Sequence, residues 1–292
     1  MKIALYGRTL APEHRSAVCR IFDWLRTHNL HVLIYEPYKD LLANTHQVVA
    51  PFQAFHSSED LGEDVDCMLS LGGDGTMLDT ILLIQDKGIP VIGLNLGRLG
   101  FLSSVQEPEF EQALNELLER RFSLDHRSLL SVTRPEFRNP AERLALNEVT
   151  ILKKDSSSMI QIHAFINGEF FNTYWADGLI IATPTGSTGY SMSCGGPIIL
   201  PESSSFVLTP IAPHNLNVRP VIIPDDAEIR LKVESRQHTF LMSLDSRSYF
   251  LSADEEIVIN KASFGINLIK LQSQSYIVTL RNKLLWGIDK RN

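Results

Sequence analysis

Gly72-Gly73-Asp74-Gly75-Thr76 stands between an apolar run and a segment of helical spacing, and it is the sharpest chemical feature of the chain. Glycines at such a turn allow positive φ and leave main-chain amides open to a ligand. Those amides, with the N-terminus of the next helix, form an anion site of the kind that holds phosphates. Thr76 with Asp79 three residues on reads as a capping box that starts the helix here. Asp74 is the odd member. A carboxylate among phosphate-binding amides repels the ligand unless it holds a metal or handles a proton, so a catalytic role is expected of it. The plainer alternative is a glycine-rich strand-to-helix turn with a solvated Asp. Neither the G-K-[ST] ending of a Walker loop nor the G-x-G-x-x-G fingerprint is present.

A second cluster runs from Asp177-Gly178 through an apolar stretch into Thr183-Pro184-Thr185-Gly186-Ser187-Thr188-Gly189-Tyr190-Ser191. A buried strand thus delivers a loop dense in hydroxyls and small residues, suited to hydrogen bonding a ribose or purine at close range. A serine- and threonine-rich turn between strands is the competing reading. Asn147-Glu148, just before the apolar residues 149–152, carries almost no signal alone.

The elements that must position these residues fall into two patterns. Residues 3–6, 31–35, 67–71 and 90–94 read as buried strands, alternating with helical spacing at Val18, Ile21, Phe22 and Leu25, at 77–85 and at 109–120. Strand alternating with helix predicts a parallel sheet with helices on its faces. From about Arg127 short β-branched and aromatic segments take over, with Asn167-Gly168 between residues 162–166 and 170–174 as a hairpin turn. Residues 218–223, 228–233, 239–244 and 256–260 continue that series, which predicts an all-β domain. Residues 276–286 are apolar and end in Leu284-Leu285-Trp286-Gly287, so they are expected to pack on one of the two.

At 292 residues the chain can bury a sizeable core as one large domain or two ordinary ones. Its 44% hydrophobic and 21% charged residues leave no room for extensive disorder. A formal net charge of -7 gives no broad positive field for nucleic acid or an anionic membrane, so phosphate must be met locally. Cys19, Cys67 and Cys194 form no C-x-x-C pair, against a disulfide framework or zinc site. The first apolar run is too short for a signal peptide, and no stretch approaches the roughly 18 apolar residues of a membrane span. A cytoplasmic protein is expected.

Together the two clusters, Asn147-Glu148, Asn95-Leu96-Gly97-Arg98-Leu99-Gly100-Phe101-Leu102, Leu208-Thr209-Pro210-Ile211-Ala212-Pro213, Arg219-Pro220 and the final Trp286-Gly287 closely resemble the NAD kinase family over most of the chain. The G-G-D-G-T motif alone is shared with diacylglycerol and sphingosine kinases and, more loosely, phosphofructokinases. The hydroxyl-rich loop and the N-E pair narrow the choice.

The resemblance implies a Rossmann-like α/β domain over 1–126, a β-sandwich NAD-binding domain over 127–275, and a C-terminal segment, 276–292, returning to the first, with the active site in the cleft between domains. It implies transfer of the ATP γ-phosphoryl group to the adenosine ribose 2′-hydroxyl of NAD, with Mg²⁺ accompanying ATP, in a homodimer or homotetramer. Asp74 would face the reacting hydroxyl and take its proton, with Gly72, Gly73, Gly75 and Thr76 lining the phosphate path and Phe101 near adenine. Asn147 and Glu148 would lie near the adenosine, and Thr185, Thr188, Gly189, Tyr190 and Ser193 around the dinucleotide. Asp177 would reach a neighbouring subunit's nicotinamide end. Gly189 stands where alanine is commoner, and Asp245-Ser246-Arg247 where many members read D-G-Q, so no site role is carried onto that segment. An Asp74→Asn variant would keep its melting temperature if the turn rests on its glycines.

Overall fold

The computed structural model describes residues 1–44, 52–97, 99–103, 105–154 and 158–287. The chain divides into two compact units, Met1–Asp125 with Ile266–Asn292, and His126–Gly265.

The first unit opens with β1 (Lys2–Gly7), α1 (Arg15–Thr27), β2 (His31–Tyr35), α2 (Glu36–Ala43) and β3 (Gln53–Phe55). It continues with β4 (Cys67–Leu71), α3 (Asp74–Ile84), β5 (Val91–Asn95), β6 (Val105–Gln106), α4 (Phe110–Leu118) and β7 (Phe122–Arg127). β4 and β5 are buried at every position, as a sheet covered on both faces demands, and they pair in parallel with Leu69 opposite Ile92. α1 buries Val18, Ile21, Phe22 and Leu25 at the spacing that marked it as a helix.

The second unit is antiparallel throughout. Its strands are β8 (Leu130–Arg134), β9 (Leu144–Ala145), β10 (Glu148–Lys153), β11 (Ile160–Ile166), β12 (Glu169–Ala176) and β13 (Gly178–Ala182), then, after the short helix α5 (Tyr190–Ser193), β14 (Ser205–Ile211), β15 (Val221–Pro224), β16 (Ile229–Glu234), β17 (Thr239–Leu244), β18 (Arg247–Ser252) and β19 (Ile257–Lys261). One sheet runs β15-β14-β13-β10-β17-β18 and the other β12-β11-β16-β19-β8-β9. Val149, Leu179, Phe206 and Phe240 of the first share a core with Ile162, Tyr174, Leu231 and Ile259 of the second, which makes a sandwich. The β11–β12 turn has Asn167 at φ 51° and Gly168 at φ 83°, both positive as the Asn-Gly pair requires.

The chain then re-enters the first unit as β20 (Ile266–Leu271) and α6 (Tyr276–Leu284). β20 pairs in parallel with β5, completing the order β3-β2-β1-β4-β5-β20-β7 with β6 beside β5. The return therefore begins at 266 rather than at the expected 276, because residues 266–271 are a strand of the α/β sheet and not the last strand of the sandwich. The C-terminal segment also packs less than its apolarity predicts. In α6 only Leu280 is buried, while Ile277, Val278, Leu285 and Trp286 stay exposed. Its apolar side chains point in several directions and give no single buried stripe.

Candidate active site

The carboxyl end of β4 leads directly into Gly72, at the edge of a parallel sheet where ligands of α/β folds bind. Gly72 takes φ 151°, and a Cβ there would stand 2.2 Å from the Thr76 hydroxyl. Around Gly73 and Gly75 a Cβ would meet nothing within 4 Å, so both backbones lie open. Of the three glycines only Gly72 needs its conformational freedom; Gly73 is extended and caps the helix. The helix starts at Asp74, three positions before the expected first residue Met77, with Gly73 and not Thr76 at the cap position, and no side chain caps it. Thr76 is turned toward Gly72, and Asp79 instead pairs with Arg8 at 3.3 Å. In the first turn of α3 the Thr76 N–H already donates to Gly73 O at 3.0 Å, while the Asp74 and Gly75 amides have no intrahelical acceptor and can face an anion.

Asp74 does something the sequence did not indicate. Its Oδ2 accepts the Phe101 N–H at 2.8 Å, and its Oδ1 accepts those of Leu102 and Ser103 at 3.0 Å each. A carboxylate offers about four acceptor sites, so one remains for a substrate hydroxyl. The Phe101 ring meets Tyr276 of α6 at 6.5 Å between centroids and lies 4.8 Å from Lys283 Nζ. Asp74 and Phe101 thus belong to one constellation.

In the second unit, Asn147-Glu148 and the 183–189 loop are packed together. The Thr183 N–H donates to Asn147 O at 2.9 Å and its hydroxyl donates to Leu146 O at 2.5 Å. A Cβ at Gly186 would stand 2.0 Å from Asn147 O, so only glycine allows this approach. The loop's hydroxyls are largely turned inward, onto its own carbonyls. Ser187 Oγ donates to Pro184 O at 2.6 Å, Thr188 Oγ1 donates to Thr185 O at 3.2 Å, and Ser191 shares a 2.8 Å bond with Thr209. A buried polar loop must satisfy its own carbonyls first. Gly189, Tyr190 and Ser193 are the named residues left toward solvent.

Glu148 has an Oε2 with no hydrogen-bond partner among the described residues. Burial, and secondarily the Asp245 carboxylate, push its ionisation up to about 8. It therefore presents a mostly protonated carboxyl at neutral pH, able to donate a hydrogen bond. Asp177 precedes β13 whereas Thr183 follows it, about 20 Å away along the strand; it pairs with Lys153 at 2.6 Å and lies near enough to Tyr190 to help raise that phenol's ionisation, after burial and Cys194. Two polar residues of the site region were given no role from the sequence. Arg127, buried at the end of β7, donates through Nη1 to Thr185 Oγ1 at 3.0 Å. Asp245 accepts the N–H groups of Leu146, Asn147 and Glu148. An arginine at a pattern change and an aspartate in a strand-to-strand turn carry no spacing signal.

An α/β unit with an anion-binding strand-to-helix turn, joined to a β-sandwich bearing an Asn-Glu pair against a polar loop, defines a nucleotide-dependent phosphotransferase. The chain belongs to the ATP-NAD kinase family, whose N-terminal domain matches residues 3–122 and whose C-terminal domain matches residues 146–271. It is 46% identical to an NAD kinase of Flavobacterium psychrophilum and 40% to one of Bacteroides fragilis, each over 100% of both chains. An NAD kinase from Archaeoglobus fulgidus, solved in complex with ATP, is 26% identical with a TM-score of 0.74 over 98% of this chain and 99% of that one. A yeast NADH kinase complexed with NADH, 24% identical, shares the fold at a TM-score of 0.87 over 99% of this chain and 88% of that one.

Proposed function

We infer how the family's reaction is carried by these residues. The chain is an enzyme that transfers the γ-phosphoryl group of ATP to the adenosine ribose 2′-hydroxyl of NAD, giving NADP. In our reading the amides of Gly73 and Gly75, with the α3 N-terminus, receive phosphate, and Thr76 adds a hydroxyl to that path. Asp74 orients the attacking hydroxyl and takes its proton. The transition state of such a transfer is loose, so positioning and charge stabilisation carry most of the catalysis. The observation that carries the reading is the Asp74 carboxylate, fixed by three amides with one acceptor site to spare. Phe101 borders the adenine, Asn147 and Glu148 hold the adenosine, and Thr185, Thr188, Gly189, Tyr190 and Ser193 frame the dinucleotide.

No three His, Cys, Asp or Glu side chains converge among the described residues. A Mg²⁺ ion carried by ATP fits this donor set, since Mg²⁺ is commonly held by substrate phosphates, waters and one or two carboxylates. Bound there, it would neutralise charge on the transferring oxygens, and Asp74 is the carboxylate nearest that task.

Assembly belongs to the same proposal. Edge strand β12 leaves Phe170, Phe171 and Trp175 uncovered, which supports a homodimer or homotetramer. Asp177, at the far end of β13, would then serve a neighbouring subunit's nicotinamide end. Three free cysteines, with Cys67 pushed up to about 12 by burial, support a reducing, cytoplasmic setting. The test is the product formed from NAD, ATP and Mg²⁺ by the purified chain. NADP, read by a strictly NADP-dependent dehydrogenase, is expected, with no label passing from γ-labelled ATP to diacylglycerol or sphingosine. Labelled lipid without NADP would refute the reading.

A further inference from the structure

Asp245-Ser246-Arg247, the segment left without a role by its departure from D-G-Q, sits on the turn between β17 and β18. Asp245 itself takes φ 51°, a left-handed conformation that turns its carboxylate onto the start of β10. Oδ1 accepts the N–H groups of Asn147 at 2.9 Å and Glu148 at 3.1 Å, and Oδ2 accepts that of Leu146 at 2.9 Å. The Asp245 N–H in turn donates to Glu148 O at 3.0 Å. Two residues on, the Arg247 guanidinium donates to the carbonyls of Glu142, at 2.8 Å, and Leu144. One turn therefore holds the residues leading into Asn147-Glu148 by their carbonyls and the pair itself by its amides. On its other side the pair meets Thr183 and Gly186. The segment is clamped from both sides.

We propose that Asp245, supported by Arg247, is a positioning residue that pre-orders Asn147-Glu148 for NAD. This rests on the reading of that pair as NAD-binding. Charge-assisted bonds to three consecutive amides fix the backbone within narrow limits, and a site held ready binds its ligand without the cost of ordering it. Asp245 also acts on the Glu148 carboxyl electrostatically. Burial raises the ionisation of Asp245, against which the three amides and then Arg247 favour its charged form, and that charge opposes ionisation of Glu148.

The test is steady-state kinetics of the full chain with NAD and ATP varied separately, in Asp245→Ala and Asp245→Asn. In the alanine variant the KM for NAD should rise by about tenfold or more, with the KM for ATP within about twofold of wild type. Asparagine keeps one acceptor oxygen, so it should rescue part of the NAD affinity. It also removes the charge beside Glu148, so the ionisation seen in the pH dependence of kcat/KM for NAD should move to lower pH. A merely structural residue would move neither the split between substrates nor that pH profile. If the alanine variant does not fold, the asparagine variant carries both readouts. An unchanged KM for NAD, an equal rise for ATP, or an unmoved pH profile in the asparagine variant overturns the proposal. Absence of NAD phosphorylation by the wild-type chain would instead overturn the functional reading.

Discussion

Asp74 accepts the Phe101 N–H at 2.8 Å, which ties the first turn of α3 to a loop nearly thirty residues further along the chain. With the Leu102 and Ser103 N–H groups on the other oxygen, the same carboxylate is both candidate general base and anchor of the 101–103 loop. These roles are compatible, because a base fixed in one orientation needs no reorganisation when the hydroxyl arrives.

Asp74→Asn should therefore lower kcat by about 10² to 10⁴, the usual share of a general base, and lower the melting temperature as well. The expectation that stability would be spared treated the turn as resting on its glycines alone. A carboxamide has one acceptor oxygen, and its NH₂ group would face at least one of the three N–H donors, an unsatisfied contact costing about 1 to 3 kcal/mol. Kinetics and melting curves on the same preparation check both halves. An unchanged melting temperature would show that the loop does not depend on the carboxylate, and near-normal kcat would show that Asp74 is an anchor only.

Gly100→Ala separates position from charge. An added Cβ would stand 1.9 Å from Asp74 Oδ1, so the carboxylate must move although its chemistry is intact. We expect kcat to fall by up to about 10²-fold, the scale of a misplacement near 1 Å. Wild-type kcat in a folded Gly100→Ala protein would mean that the orientation of Asp74 does not matter.

Much of this was legible in the sequence, and the parts that were not share a cause. Strands β1, β2, β4 and β5 announced themselves as short apolar runs, and the Asn167-Gly168 turn by its φ requirement. Those signals are local. The return of residues 266–271 to the first sheet, the bond from Asp74 to Phe101 and the hold of Asp245 on Asn147 join residues far apart in the chain, and neither period nor propensity encodes them. The inward turn of Ser187, Thr188 and Ser191 was not legible for a related reason. Composition counts hydroxyls, but it does not say which carbonyls each must satisfy.

Glu148 makes the stability of the chain depend on pH. Its ionisation in the folded chain lies near 8, above the ordinary 4.5, mainly because burial disfavours the charge and then because Asp245 lies close. A raised carboxyl favours the folded state fully below the unfolded value, and that contribution is lost as pH rises through the folded value. The Glu148 contribution to the melting temperature of the ligand-free chain should thus decline between about pH 4.5 and 8. Glu148→Gln, which cannot ionise, should flatten that decline. Equal slopes for the two proteins would show that Glu148 ionises normally.

Gly186 and Gly189 sit three residues apart on one loop and should respond oppositely to alanine. At Gly186 a Cβ would collide with the Asn147 carbonyl at 2.0 Å, and backbone cannot step aside cheaply. At Gly189 it would lie 3.2 Å from Glu148 Oε2, which a small rotation of the carboxyl relieves, and 3.2 Å from Gly186 O, which needs the loop to give by only a few tenths of an ångström. Gly186→Ala should raise the KM for NAD by about tenfold or destabilise the fold by about 1 to 3 kcal/mol, whereas Gly189→Ala should stay within a few-fold of wild type. Equal effects of the two substitutions would contradict this packing of the loop on Asn147-Glu148.

Removal of divalent cation should abolish turnover without loosening the protein. No Lys or Arg lies between Gly72 and Thr76, where phosphate would meet the Asp74 carboxylate, so on our reading the charge of the transferring group is balanced by a cation arriving with ATP. Each unit has its own apolar core, and among the described residues no trio of ligating side chains converges, so the melting temperature is expected not to depend on the ion. Excess chelator should therefore bring NADP formation to background, added Mg²⁺ should restore it, and the melting temperature of the ligand-free chain should not move. Full activity in chelator would mean that protein donors alone stabilise the transferred phosphoryl group. A melting temperature that falls with chelation would place a metal in the fold itself.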